Sequence, residues 1–192
     1  MQPDLEHDAT LPAAAPEPPQ PLDPRTFRSV LGNFPTGVVA ITTAAGDDEP
    51  IGMIVGSFTS VSLTPPLVSF LADCSSSTQA RIQQAGRFCA NVLAADQEGL
   101  CRQLASRRPP VRFDGIPWSR SPLGNPILEG IIAWIDCSIA DVIAVGDHYL
   151  IVGHVHALHA VSDKTPLLFL RGGYGDYFSN SAHILDRLLD WQ

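Results

Sequence analysis

At Pro35 the hydrophobic period of this chain changes from helical to extended, and that change constrains the fold more than any other feature. Before it, Asp23 is a good N-cap and Pro24 suits the first helical position. Phe27, Val30, Leu31 and Phe34 then form one apolar face of a helix ending near Asn33. After it, Val38 to Thr43, Ile51 to Val55, Phe58 to Leu63 and Leu67 to Ala72 are short runs rich in β-branched residues, which read as strands. Ala45-Gly46-Asp47-Asp48 supplies turn residues for a hairpin between the first two. Phe88 to Leu93, Ile131 to Ile143, His148 to Val161 and Leu167 to Leu170 continue the pattern, interrupted by helical spacing at Ser76 to Gly86 and Ala95 to Ser106. Arg107 to Ser121, broken by Pro109, Pro110, Gly115 and Pro117, reads as a loop long enough to cover a site. The expected fold is mainly β, an antiparallel sheet closing into a barrel with helices at its edges.

Residues 1–22 stand apart from that pattern. Met1 to Pro24 hold 7 of the 17 prolines and five acidic groups without a lysine or arginine, so a flexible acidic arm is expected there. One domain over 23–178 follows, with a C-terminal helix over 179–192, no internal repeat and no second domain. At 192 residues, 45% of them apolar, the chain is large enough to bury a core without disulfides. A net charge of -8, with Lys164 alone beside eleven arginines, leaves no basic stripe for a nucleic-acid backbone. The longest apolar runs, such as Ile131 to Ile135, are too short to cross a bilayer, and the N-terminus has no signal-peptide pattern. Cys74, Cys89, Cys101 and Cys137 form no C-x-x-C pair, which points to buried small hydrophobes and a reducing cytoplasm.

Neither G-x-G-x-x-G nor G-x-x-x-x-G-K-[ST] is present, so a nucleotide would have to be held in another way. Asp73-Cys74-Ser75-Ser76-Ser77-Thr78 falls where a strand ends and a helix begins. Its hydroxyls and the helix N–H groups suit either an anion or a simple serine cap. Gly146-Asp147 reads as a turn presenting His148 at the start of a strand, in a structural or a functional role. His154 and His156 share one face of a strand while His159 points away; with no cysteine pair or carboxylate beside them, no metal site is expected. Trp118, Trp134 and Trp191 read as packing residues, with Trp118 also a stacking candidate through its loop. Arg171 is a candidate for an anionic ligand group, or for a structural ion pair.

The string Gly52-Met53-Ile54-Val55-Gly56-Ser57-Phe58-Thr59-Ser60-Val61-Ser62-Leu63-Thr64-Pro65-Pro66-Leu67-Val68 is more specific than any single residue. With Phe34-Pro35-Thr36-Gly37-Val38, Gly86 to Leu93, Gly146-Asp147-His148 and Pro166 to Gly172, it resembles the short-chain flavin reductases of two-component monooxygenases. Asp23 to Gly32 and Ile127 to Gly130 look most like actinobacterial reductases serving aromatic-ring and steroid hydroxylases.

The resemblance implies an antiparallel FMN-binding split β-barrel and a homodimer. NADH or NADPH would reduce FMN or FAD, and the reduced flavin would diffuse to a separate oxygenase component. It implies backbone contacts to the flavin from Met53, Ile54, Val55, Gly56 and Ser57, with Gly52 and Gly56 allowing close approach. Ser60, Ser76, Ser77 and Thr78 would hold the phosphate, with Thr36, Asp73, Phe88 and Arg171 completing the set. His148 would contact the nicotinamide or flavin, positioning for hydride transfer rather than moving a proton. Two departures stand out: Cys74 where a lysine often precedes the serine run, and Ile54 where a threonine is usual. A non-catalytic flavin-binding barrel is the rival reading.

Overall fold

The computed structural model describes residues 21–45, 49–106 and 113–177. Asp23 caps α1 (Pro24–Leu31) as expected, its carboxylate accepting from the Thr26 N–H at 2.9 Å. Then come β1 (Thr36–Gly37), β2 (Val39–Ala45), β3 (Glu49–Val55), β4 (Thr59–Leu63), β5 (Pro66–Asp73), α2 (Ser77–Ala85) and β6 (Arg87–Val92). A 3-10 turn leads into α3 (Glu98–Leu104), followed by β7 (Trp118–Arg120), β8 (Pro126–Leu128), β9 (Ala133–Val145), β10 (His148–Ala160), β11 (Leu168–Leu170) and β12 (Gly173–Gly175). The arm over residues 1–20, the 46–48 turn, residues 107–112 and the expected helix at 179–192 with Trp191 lie outside the described residues.

Seven strands form one antiparallel sheet in the order β3-β2-β6-β9-β10-β5-β4. Its curled inner face carries Val39, Ile41, Phe70, Phe88, Ala90, Cys137 and Ile151, closed at one end by Ile82 of α2. The outer face of β2 and β6 is buried as well, because Ala40 and Leu93 pack with Cys101 and Leu104 of α3 and with Leu128 of β8. A strand covered on both faces reads as a continuous apolar run rather than an alternating one, which is why β2 and β6 look as they do in sequence.

The loop expected over Arg107 to Ser121 differs in part. Trp118–Arg120 is a strand paired with the unforeseen β8. A polar network, not a hydrophobic period, attaches this hairpin: buried Asn91 accepts from the Leu128 N–H at 2.9 Å, and buried Asp136 accepts from Leu123 N and Asn125 Nδ2, both at 2.8 Å. Pairing to fully buried side chains leaves no periodic trace in the sequence. Trp118 and Trp134 pack against the outer core, with the Arg120 guanidinium 5.7 Å from the Trp118 ring.

Two corrections concern single residues. Phe88, expected at the flavin, is fully buried in the barrel, edge-on to Phe70 at 5.1 Å. Alternation along β6 turns it inward, and a Cβ at Gly153 would lie only 2.5 Å from its Cζ, so this glycine makes room for the ring. Cys74 is exposed, unlike the buried Cys89, Cys101 and Cys137, because it sits in the loop beyond the end of β5. His154 and His156 do contact each other, 5.1 Å between centroids, while His156 Nε2 lies 2.8 Å from Ser138 Oγ. No group of three metal-ligating side chains occurs among the described residues, nor does a helix long and apolar enough to cross a membrane.

Candidate functional site

Three cavities share the end of β3. One, of about 500 Å³, lies between Met53 and Ile54 and the segment Asp73, Ser75, Ser76, Ser77 and Thr78, with Leu104 and Ala105 behind. A second, of about 520 Å³, runs along Met53 to Ser57 to Leu71, Val145 and His148. A third, of about 180 Å³, is walled by Thr36, Val38, Ile54, Val55, Gly56, Phe169 and Tyr174. The groove is polar at the first end, exposes main chain along its middle and is aromatic at the third end.

Sheet register explains why residues far apart in sequence meet here. In the β9–β10 hairpin, Gly146 takes the left-handed φ of +61° that the turn requires. His148 thereby falls opposite Asp73, where β5 ends and the serine run begins. The Cys74 N–H donates to the Asp147 carbonyl at 3.0 Å, locking the two loops together. His148 Nδ1 lies 2.7 Å from Asp147 Oδ1. That hydrogen bond, reinforced by the charge of the imidazole, holds the Asp147 carboxyl below its ordinary 3.8.

At the polar end, Asp73 Oδ1 accepts from both the N–H and the hydroxyl of Ser75 at 2.7 Å, so this carboxylate is already engaged. Ser76 caps α2, accepting from Gln79 N at 3.3 Å. The serine run therefore does cap, and Ser77 and Thr78 occupy the first turn, where helix N–H groups favour an anion. Gly56 is exposed in the middle of the groove, and a Cβ there would come 2.7 Å from Thr36 Oγ1, so Thr36 packs here only because residue 56 has no side chain. Ser57 lines the groove, but its hydroxyl is engaged by Leu71, accepting from its N–H at 2.9 Å and donating to its carbonyl at 3.3 Å.

Thr36, Met53, Ile54, Val55, Gly56, Ser57, Asp73, Ser76, Ser77, Thr78 and His148 thus converge on the groove. Ser60 does not: it is exposed on β4, which among the described residues pairs with β5 alone, and it lines none of the three cavities. Arg171 is also away from the lining. With φ of +51° it turns between β11 and β12, its N–H donating to Gly32 O at 3.0 Å and its Nε to Asn33 Oδ1 at 2.9 Å. It ties α1 to the small β1-β11-β12 sheet rather than facing a ligand.

Phe169 and Tyr174 were missed by sequence reasoning. They reach the groove because β11 pairs with β1, setting Phe169 opposite Thr36, and β12 pairs back, setting Tyr174 opposite Phe169. β11 was legible as an apolar run, but its pairing with β1 and the three-residue β12 carry no periodic signal.

Residues 31–177 match the family model described as the flavin reductase like domain. A flavin reductase of Pseudomonas putida is 49% identical over 81% of this chain and 91% of its own length. The reductase subunit HsaB of a flavin-dependent monooxygenase from Rhodococcus jostii (strain RHA1) is 48% identical over 80% of this chain and 77% of its own. Among solved structures, nitrilotriacetate monooxygenase component B from Mycobacterium thermoresistibile superposes with a TM-score of 0.78 at 42% identity, covering 85% of this chain and 93% of that one.

Proposed function

The chain belongs to the flavin reductase like family, and from that premise we infer that it is an NAD(P)H:flavin oxidoreductase supplying reduced FMN or FAD to a separate monooxygenase component. The observation that carries this reading is the continuous groove joining an anion-favouring helix start, accessible main chain and His148. Its donors fit a flavin: the Ser76 and Ser77 hydroxyls and the first N–H groups of α2 for the phosphate, and the Met53 to Ser57 main chain for the polar ring edge. A flavin and a nicotinamide bound here would supply the redox chemistry, leaving the residues of the groove to hold and align them.

The protein's share is placement. His148, its Nδ1 engaged by Asp147, presents the rest of its ring to the cavity that also holds Ser57 and Val145, and serves to position the nicotinamide. Leu71 and Val145 line the same cavity with apolar surface against which a planar ring can pack. The identical 2.7 Å contact would also persist in a non-catalytic flavin-binding barrel. Turnover therefore discriminates: anaerobic mixing with excess FMN or FAD should oxidise many equivalents of NADH or NADPH per chain. Stoichiometric oxidation alone would refute the reading.

The chain acts as a homodimer in this reading. No residue of α1 is buried, and Phe27, Val30 and Leu31 are 52–63% exposed on one amphipathic face, with Phe34 beside them at 73%. A second copy covering that face is supported by its size and its apolar character. Sedimentation of Val30→Glu against wild type tests it; an unchanged dimeric mass would place the interface elsewhere, and a monomeric wild type would refute the dimer.

A further inference from the structure

Tyr174 has no part in the placement argued above, yet its ring is held on several sides. The Arg102 guanidinium lies over it, 4.9 Å from the centroid, and is itself fixed by Glu98 at 2.7 Å, one turn away on α3. Its hydroxyl accepts from the Cys101 thiol at 3.2 Å, and the Phe169 ring meets it at 5.2 Å and 60°. The hydrogen bond with Cys101, then burial, pushes its phenol up to about 12, so it remains neutral wherever the protein works. Tyr174 is half-buried and packs against the outer core, and side chains of α3 and β11 fix its ring in one orientation. The same ring walls the small cavity with Val38, Ile54 and Val55, and Ile54 in turn borders the cavity of the serine run. An anion seated at Ser75 to Thr78 and a flat apolar ring seated at Tyr174 would therefore occupy two ends of one groove.

We propose that Tyr174 is the aromatic wall against which the flavin ring system packs, and that Arg102 and Cys101 are positioning residues that hold this wall in place. The inference rests on the flavin reading and deepens it: it assigns ring recognition to the β11–β12 end and leaves the serine run to recognise phosphate. Two independent grips also bear on release, since a ring held by stacking and a phosphate held at an exposed helix start can each be let go separately.

The test uses two ligands, FMN and lumiflavin, which has the ring but neither ribityl chain nor phosphate. Affinities come from quenching of flavin fluorescence, and KM values for flavin and nicotinamide are measured in parallel. Tyr174→Ala should weaken both ligands by roughly ten- to a hundredfold, in line with stacking on aromatic side chains. Tyr174→Phe should stay within about threefold for both, because the ring and its Arg102 contact survive. Arg102→Ala should weaken both ligands by about three- to fivefold, and the nicotinamide KM should stay within about twofold in all three. Ser77→Ala, at the other end, should weaken FMN and leave lumiflavin unchanged.

Lumiflavin bound equally by wild type and Tyr174→Ala would overturn the proposal while leaving the flavin reading intact. So would a matching rise of the flavin and nicotinamide KM in both the alanine and phenylalanine variants, the pattern of a purely structural role. If the alanine variant does not fold, Tyr174→Leu, which fills the space without a ring, should give the same loss of both ligands. Wild type binding neither FMN nor lumiflavin would overturn the flavin reading itself, a result distinct from the others.

Discussion

Truncating His148 to alanine separates the two halves of the site. The imidazole is 42% exposed, is anchored by Asp147 at 2.7 Å and lines the cavity that runs along Met53 to Ser57. Removing it deletes one oriented polar contact to the nicotinamide and leaves the main chain of Met53 to Ser57 and the helix start of α2 in place. A hydrogen bond from a charge-supported group is worth about 1.5–3 kcal/mol. The kcat/KM for NADH or NADPH should accordingly fall roughly ten- to a hundredfold, or about 1.4–2.7 kcal/mol of transition-state stabilisation. A half-exposed surface side chain contributes little to folding, about 0.5 kcal/mol, so Tm should move by no more than about 2 °C. Flavin Kd should change less than twofold. Anaerobic stopped-flow mixing of the flavin-loaded variant with NADH reads the hydride step directly, and fluorescence titration reads flavin affinity. Loss of flavin binding with a large drop in Tm would make His148 a structural residue and refute the assignment; undiminished kcat/KM would place the nicotinamide elsewhere. The Asp147 carboxyl titrates below 3.8, so it is an anion above that pH and becomes neutral only as pH falls through the lowered value. Between pH 5 and 9 the rate profile should therefore show no limb from Asp147.

Native protein should react with a thiol reagent at Cys74 alone and at all four cysteines once unfolded, because burial pushes the thiols of Cys101 and Cys137 upward, the latter to about 12, and that of Cys89 further still. Two or more fast-reacting thiols in the native state would contradict that burial. Gly153→Ala should destabilise by about 1–3 kcal/mol in urea titration, since its Cβ would lie 2.5 Å from Phe88 Cζ in a packed core; a neutral result would mean that the ring shifts freely. Cys74→Lys should tighten FMN by about 1.5–3 kcal/mol if the new ammonium reaches the phosphate, and leave lumiflavin unaffected. Equal or weaker FMN binding would reduce the serine run to a cap.

Local signals in the sequence determined the elements themselves. Asp23 and Pro24 started α1, the serine run started α2, and the β-branched runs became strands at nearly the expected places, because capping and alternation act within a few residues. The motif strings also located most of the groove, since main-chain accessibility at Gly56 and a turn at Gly146 leave glycines that can be read directly. What tertiary structure alone decided was the use made of each side chain. Ser57 was drawn to the Leu71 main chain, Phe88 was turned into the barrel by strand parity, Ser60 was left on an edge, and Arg171 was taken by Asn33. Tyr174 entered the site only because two three-residue strands fold back on β1, and the β7–β8 hairpin is held by buried Asn91 and Asp136. These outcomes depend on register between segments tens of residues apart, and a pairing of that range has no counterpart in local periodicity.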